Sequence, residues 1–264
     1  MPGAHSESWL PLRRGYLGET AYAYDATLHH NDAMNSKIGV AFALTLLPGL
    51  CGAQSIASLD ALQKGMALVP DRARGEHLYI QYCSVCHKRS GWGSGPREVP
   101  ALAGQHDVYL LEQLLLFARL ERRKPEMHAV VAQPEVAAPQ SLRDVSAYIA
   151  AQPRNPSSDH GDGTQLSTGS RLYAQSCTLC HGRDGDGNRD DLIPAIGGQQ
   201  YDYLLLRLEH FAQEHGAAER GSVEPAVINL LAGLSAAQLR AIADYTSRLP
   251  ALQSRAPESP AGSE

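Results

Sequence analysis

Apolar residues fall at helical spacing in three segments of the chain, and the same three segments recur further along. The first runs through GEHLYIQYCSVCH (Gly75 to His87), with Leu78 and Tyr79 on one face. The second, about Tyr109 to Arg119, is dense in leucine. The third, roughly Leu142 to Ala151, places Val145, Tyr148 and Ile149 together on one helical face. Little alternates with a period of two, so the pattern predicts an all-α fold without a sheet.

The recurrence keeps register. GEHLYIQYCSVCH matches GSRLYAQSCTLCH (Gly169 to His181), PALAGQ at Pro100 matches PAIGGQ at Pro194, and YLLEQLLLFA from Tyr109 matches YLLLRLEHFA from Tyr203, all at an offset of 94. The offset becomes 97 where DVSAYIA (Asp144 to Ala150) meets AIADYTS (Ala241 to Ser247), so three residues are inserted between the long helix and the last one. This is a duplication, and two units of this length are expected to be two domains rather than a solenoid. The expected division is a leader over 1–57, a first domain over 58–156 and a second over 157–264. AQPRNPSSDHGDGTQLS (Ala151 to Ser167) has the Pro, Ser and Gly content of a connector, and APESPAGSE that of a disordered tail.

Residues 34 to 57, MNSKIGVAFALTLLPGLCGAQSIA, have the layout of a secretory signal peptide: a short start with Lys37, an apolar run from Ile38 to Leu50, then small residues that set cleavage near Ala53 or Ala57. The run is too short to span a bilayer comfortably. Translation is therefore expected to begin at Met34. RRGYL at Arg13 resembles a twin-arginine signal, but no apolar run follows it directly. Cys51 lacks the small residue that usually precedes a lipoprotein cysteine and reads as lost with the leader.

Composition adds two constraints. A formal charge of -5 argues against a general nucleic-acid binder. With 6% aromatic residues, a small core needs something else to fill it.

The cysteines supply a candidate filler. Cys83 and Cys86, and again Cys177 and Cys180, are too close for the usual structural disulfide, and each pair is followed at once by histidine, His87 and His181. Cys-x-x-Cys-His is the attachment pattern for c-type haem. Two thiols on one turn can each add to a vinyl group on one porphyrin edge, and the next residue offers its imidazole to the iron. One zinc shared by four cysteines is disfavoured by the whole domain between the pairs. A thioredoxin-like pair would need a strand–helix context.

Taken together, CSVCH, PALAGQHDVYLLEQLLLFA and Met127 in the first half, with CTLCHGRDGDG and PAIGGQQYDYLLLRLEHFA in the second, resemble the class I dihaem cytochromes c, most closely the cytochrome c4 type, over about residues 70 to 250. The resemblance implies two tandem cytochrome c-like haem domains holding two covalently bound haem c groups. It implies that the carbonyls of Pro100 and Pro194 support the axial histidines. It implies that Gly75 with Tyr148, and Gly169 with Tyr245, mark crossings of first and last helices.

The family position makes Met127 the expected sixth ligand of the first iron, in a polar loop around Pro125. A thioether there favours ferrous iron and raises the potential. His128 is a neighbouring competitor, and Met66 reads as packing. The second half departs from the pattern. At offset 97 Glu224 stands for Met127, and no methionine follows it. His215 or His210 could complete the second iron, or the site stays open.

Charge divides unevenly as well. Residues 66–156 carry 11 Lys or Arg against 9 Asp or Glu, and residues 157–264 carry 8 against 14. GRDGDGNRDD (Gly182 to Asp191) concentrates acid beside the second motif and reads as a solvated loop. RLERRK (Arg119 to Lys124) is basic and reads as a docking surface or a solvated helix end. The expectation is a periplasmic electron carrier with redox protein partners and no integral membrane span in the mature chain, one that can dock peripherally on membrane complexes. It would link a dehydrogenase or quinol-oxidising complex to a terminal oxidase or reductase. The alternative is a haem enzyme or small-ligand sensor acting at the second haem.

Overall fold

A computed structural model describes residues 52–213 and 225–250. Among the described residues the regular structure is helical, apart from two isolated bridges, Ser94 with Val99 and Asn188 with Ile193, that stand 94 apart. In the first half α1 spans Gly52–Met66, and α2 (Arg72–Leu78) runs through a π-helical turn, Tyr79–Cys83, into the short α3 (Ser84–His87). Then come α4 (Asp107–Ala118), α5 (Pro125–Val131) and α6 (Pro139–Ala150). The second half repeats the order as α7 (Leu166–Ser176), α8 (Thr178–His181), α9 (Tyr201–Gln213), α10 (Pro225–Ala232) and α11 (Ala236–Ser247). Cys51 and most of the expected leader lie outside the described residues; α1 begins at Gly52, before the expected cleavage points.

Local chemistry sets the helix ends. Asp71 caps α2 by accepting from the Arg74 amide. Pro125 and Pro139 open α5 and α6, where a missing N–H costs nothing. Ser235 and Gln238 form a reciprocal capping box on α11.

The apolar faces read from the sequence meet as expected. Leu78 and Tyr79 pack on Leu110 of α4 and on Val145 and Ile149 of α6, with Cys83 against the same cluster. A second cluster joins Leu62 of α1 to Leu111, Val136 and Leu142, with Met66 packed against it. The lead-in segment is thus a helix contributing to the core, which no helical pattern in the sequence reading had marked.

The helix leading into each cysteine motif crosses the last helix of its half on a glycine, α2 on α6 and α7 on α11. A Cβ on Gly75 would overlap the carbonyl of Asp144 and lie 3.0 Å from the Tyr148 Cβ; one on Gly169 would overlap the carbonyl of Ala241 and lie 2.8 Å from the Tyr245 Cβ. Beside each crossing a tyrosine pair packs tilted, Tyr79 with Tyr148 at 5.5 Å and Tyr173 with Tyr245 at 5.6 Å between ring centroids. In the first half the crossing is also held electrostatically. Fully buried Asp144 accepts from the Asp71 amide (2.8 Å), Arg74 Nε (2.5 Å) and Gln140 Nε2 (2.8 Å).

The segment after Ala151 is a fixed strap rather than a free connector. Trp92 Nε1 donates to the Pro153 carbonyl (3.0 Å), the Asp159 amide to Gln200 Oε1 (2.9 Å), and the Gly163 amide to Asp244 Oδ2 (2.8 Å). Asp159 itself accepts from the Gly95 amide at 3.2 Å. Asn155 and Ser158 are buried along it. Composition marks the segment as a connector but does not report the hydrogen bonds that pin its backbone.

Gly75→Ala and Gly169→Ala are each expected to destabilise the haem-loaded protein by roughly 1–3 kcal/mol, the cost of overpacking a closed contact. Denaturant midpoints check this; an unchanged midpoint would show that the crossings open freely.

Candidate functional site

Each Cys-x-x-Cys-His motif sits where a long helix ends in a tight turn. In the first, α3 closes on His87, which is 6% exposed. Lys88 then takes a left-handed φ of 64°, where its counterpart Gly182 (74°) has no Cβ to strain. The turn is pinned from behind: Tyr79 Oη donates to the Lys88 carbonyl (2.7 Å) and Tyr173 Oη to that of Gly182 (2.8 Å).

The chain then loops back to the histidine. The Gly93 amide donates to the His87 carbonyl (3.1 Å), and the Gly187 amide to that of His181 (3.0 Å). A Cβ on either glycine would overlap the carbonyl of Pro100 or Pro194 respectively. Those two carbonyls face the imidazoles: His87 Nδ1 lies 3.1 Å from Pro100 O, and His181 Nδ1 lies 3.0 Å from Pro194 O. A carbonyl only accepts, so Nδ1 carries the proton and donates. Burial pushes both imidazoles below their ordinary pKa, against the opposing pull of the carbonyl bond. The result is a neutral ring in a fixed tautomer with the Nε2 lone pair left to bind a metal, the usual preparation of a ligating histidine.

The thiols complete a donor set that fits a covalently attached porphyrin. None of the four is in a disulfide; Cys83 and Cys177 are half-buried, Cys86 and Cys180 exposed. Among the described residues no three His, Cys, Asp or Glu side chains converge as a metal-ligand group.

Met127 lies in the first turn of α5, half-buried, rather than in a loop. Pro125 misled the reading because proline opens helices as readily as it interrupts them. His128 Nδ1 is occupied by the Phe117 carbonyl at 3.0 Å. In the second half α10 also opens on a proline, Pro225. Helix position therefore pairs Met127 with Val227, half-buried like it, not with Glu224. The extra residues lie before α10, and the link to α11 is shorter, 233–235 against 132–138. His215 and Glu224 fall outside the described residues. His210 is on α9, its ring 5.9 Å from that of Phe211.

A cytochrome c family model matches the chain twice, over residues 72–152 and 166–249. The chain belongs to the cytochrome c family. It is 31% identical to cytochrome c4 of Thiocapsa roseopersicina over 199 residues, 72% of this chain and 98% of that protein. Reduced recombinant cytochrome c4 from Pseudomonas stutzeri superposes with a TM-score of 0.59 at 27% identity, covering 69% of this chain and all of that one. Thiosulfate dehydrogenase from Marichromatium purpuratum gives 0.58 at 26%, over 68% of this chain and 40% of that one. This is a cytochrome c4-like dihaem protein that transfers electrons and carries two covalently bound haem c groups.

The acidic run beside the second motif is partly engaged rather than simply solvated. The Asp186 carbonyl accepts from His106 Nε2 (2.9 Å), and Arg189 Nε reaches Asp107 at 2.8 Å, across the junction of the halves. One residue of the basic run is engaged too: Arg122 donates to Tyr203 Oη (3.0 Å). Among the described residues no helix is long and apolar enough to cross a membrane.

Desolvation raises the Asp107 pKa, but the Arg189 hydrogen bond and the charges of Arg189 and Arg143 outweigh it and hold the carboxyl below its usual range. A depressed folded-state pKa contributes stability that is present above the unfolded value, about 4, and is lost as pH falls through the folded one. A double-mutant cycle of Asp107→Asn with Arg189→Ala should give a coupling of about 0.2–1 kcal/mol at pH 7, because Arg189 is half exposed. That coupling should vanish in acid; a pH-independent value would contradict the pairing.

Proposed function

We propose that this protein is a periplasmic electron carrier between a dehydrogenase or quinol-oxidising complex and a terminal oxidase or reductase. The reading is carried by one repeated observation: in both halves the histidine that follows a cysteine pair, buried at His87 and half-buried at His181, has its Nδ1–H on a proline carbonyl and its Nε2 left for iron.

The first domain, over 58–156, would hold its haem through Cys83 and Cys86, with His87 and Met127 as axial ligands. The second, over 157–264, would use Cys177, Cys180 and His181, with His215 as sixth ligand. A bound haem supplies reversible one-electron iron chemistry. The protein's part is to fix each proximal imidazole, keep water from it and set the distal donor. Soft, neutral Met127 would poise the first site at the higher potential, so electrons arriving at either haem would settle there.

A second reading has its own support: Val227, at the position of Met127, has no donor atom. If His215 does not reach the second iron, that site binds small ligands and the protein is a sensor or haem enzyme. Carbon monoxide titration of the reduced protein separates the two. Two low-spin haems inert to carbon monoxide support the carrier; a high-spin component that binds it, assigned to the Cys177/Cys180 haem, overturns the carrier reading.

Met127→His is expected to lower the potential of the first haem by a sizeable part of the roughly 0.8 V range open to axial ligands, and to leave the second in place. A potentiometric titration with both haems monitored checks this; an unmoved first potential would remove Met127 from the iron.

A further inference from the structure

We propose that Gln105 and Gln199 are reciprocal positioning residues, each setting the strength of the proximal histidine hydrogen bond in the opposite half. The inference rests on the reading that His87 and His181 ligate iron.

The peptide group between Pro100 and Ala101 is engaged at both ends. Its carbonyl accepts from His87 Nδ1 (3.1 Å), and its N–H donates to Gln199 Oε1 (2.7 Å). Gln199 Nε2 then donates to the next carbonyl, that of Ala101 (2.8 Å). The mirror arrangement holds in the other half. The Pro194 carbonyl accepts from His181 Nδ1 (3.0 Å), the Ala195 N–H donates to Gln105 Oε1 (2.9 Å), and Gln105 Nε2 donates to the Ala195 carbonyl (2.8 Å). The two glutamines stand 94 apart, so the duplicated motif Pro-Ala-x-x-Gly-Gln supplies both parts. Its proline end serves its own histidine, and its glutamine end serves the other's.

Pairing with one N–H and one carbonyl fixes each amide's orientation, because a flipped amide would set donor against donor and acceptor against acceptor. Each Oε1 also takes the N–H of the following residue, His106 or Gln200, at 3.0 Å. That anchors the side chain at its base.

Hydrogen bonds in a chain polarise one another, more so away from water. An acceptor on the Ala N–H increases the negative charge on the proline carbonyl of the same peptide group. That oxygen then draws harder on the histidine Nδ1–H, and the imidazole becomes a stronger donor to iron. A stronger donor favours the ferric state. Each glutamine therefore lowers the potential of the haem in the opposite half. Gln105 and Ala195 are buried at 9% and 5% exposure, whereas Gln199 and Ala101 are half-buried. The influence on the second haem is accordingly the larger.

The test uses the haem-loaded full protein. Gln105→Leu should raise the potential of the Cys177/Cys180 haem and move the His181 Nδ1–H proton resonance of the reduced protein to lower frequency, leaving the first haem unmoved. Gln199→Leu should do the reverse. The expected change is two- to threefold in the redox equilibrium with a reference dye, about 18–28 mV at 59 mV per tenfold. Arg189→Ala, which breaks a junction contact without touching either peptide group, should move neither. Gln105→Asn and Gln199→Asn, one methylene short, serve if the leucine variants do not assemble. A shift in the variant's own half, equal shifts in both, or none would overturn the proposal. Loss of haem-to-cysteine attachment or of histidine ligation in the unmodified protein would instead remove the reading beneath it.

Discussion

A buried imidazole whose Nδ1–H had no partner would cost the fold a stranded polar group, and it would leave the ring free to turn. The carbonyls of Pro100 and Pro194 prevent both, and much of each half is arranged to deliver them. The loop from the motif must reverse and return within 13 residues. It does so through left-handed turns at Lys88, Gly91 and Gly93, and at Gly182, Gly185 and Gly187. Gly93 and Gly187 must be glycine for a second reason: the proline carbonyl occupies the space a Cβ would need. Behind the loop, Tyr79 and Tyr173 hold its first carbonyl, and the glycine crossing holds the tyrosine-bearing helix against the last helix. Helix crossing, tyrosine, reversed loop and proline carbonyl form one continuous chain of contacts ending on the ligand.

That chain does not stop at the domain boundary. The return segments after Pro100 and Pro194 lie against each other, so the surface joining the halves is the back of both proximal sites. The strap after Ala151 seals the same junction with backbone hydrogen bonds. Gln200 adds to it by donating to the Trp92 carbonyl at 2.7 Å. Two units joined this way hold a fixed relation, which a composition-based tether would not provide.

What was readable in the sequence follows from how local each feature is. The motifs, the glycine crossings and the three main helices rest on residues a few positions apart or on apolar spacing, and duplication displayed each of them twice. The connector after Ala151 is legible as such, but not the long-range bonds to Gln200 and Asp244 that order it, which spacing does not encode. Helix α1 was passed over because the leader beside it dominated the pattern. The offset of 97 paired Met127 with Glu224 because it was extended from α6 and α11 across a connection whose length changes. Pro125 and Pro225, aligned as helix starts, would have corrected it. Gln105 and Gln199 close the repeated PALAGQ and PAIGGQ segments, but their role is not legible there, since a glutamine that serves another domain looks from its neighbours like surface.

Duplication begins with two equal sites, and the structure shows where equality was kept. The proximal geometry is nearly identical, 3.1 and 3.0 Å on the histidines, with the same tyrosine, glycine and proline partners. Divergence shows in α5 against α10, with Met127 against Val227, in the turn residue, Lys88 against Gly182, and in a basic run against an acidic one. A change on the proximal side would disturb the loop, the crossing and, through the shared junction, the neighbouring site as well. A change in α10 leaves these shared contacts alone. Each half therefore constrains what the other can alter on the proximal side. Differences between the two haems are therefore written with less disturbance in α5 and α10 than in the proximal loops, where the unequal burial of Gln105 and Gln199 already sets the copies apart.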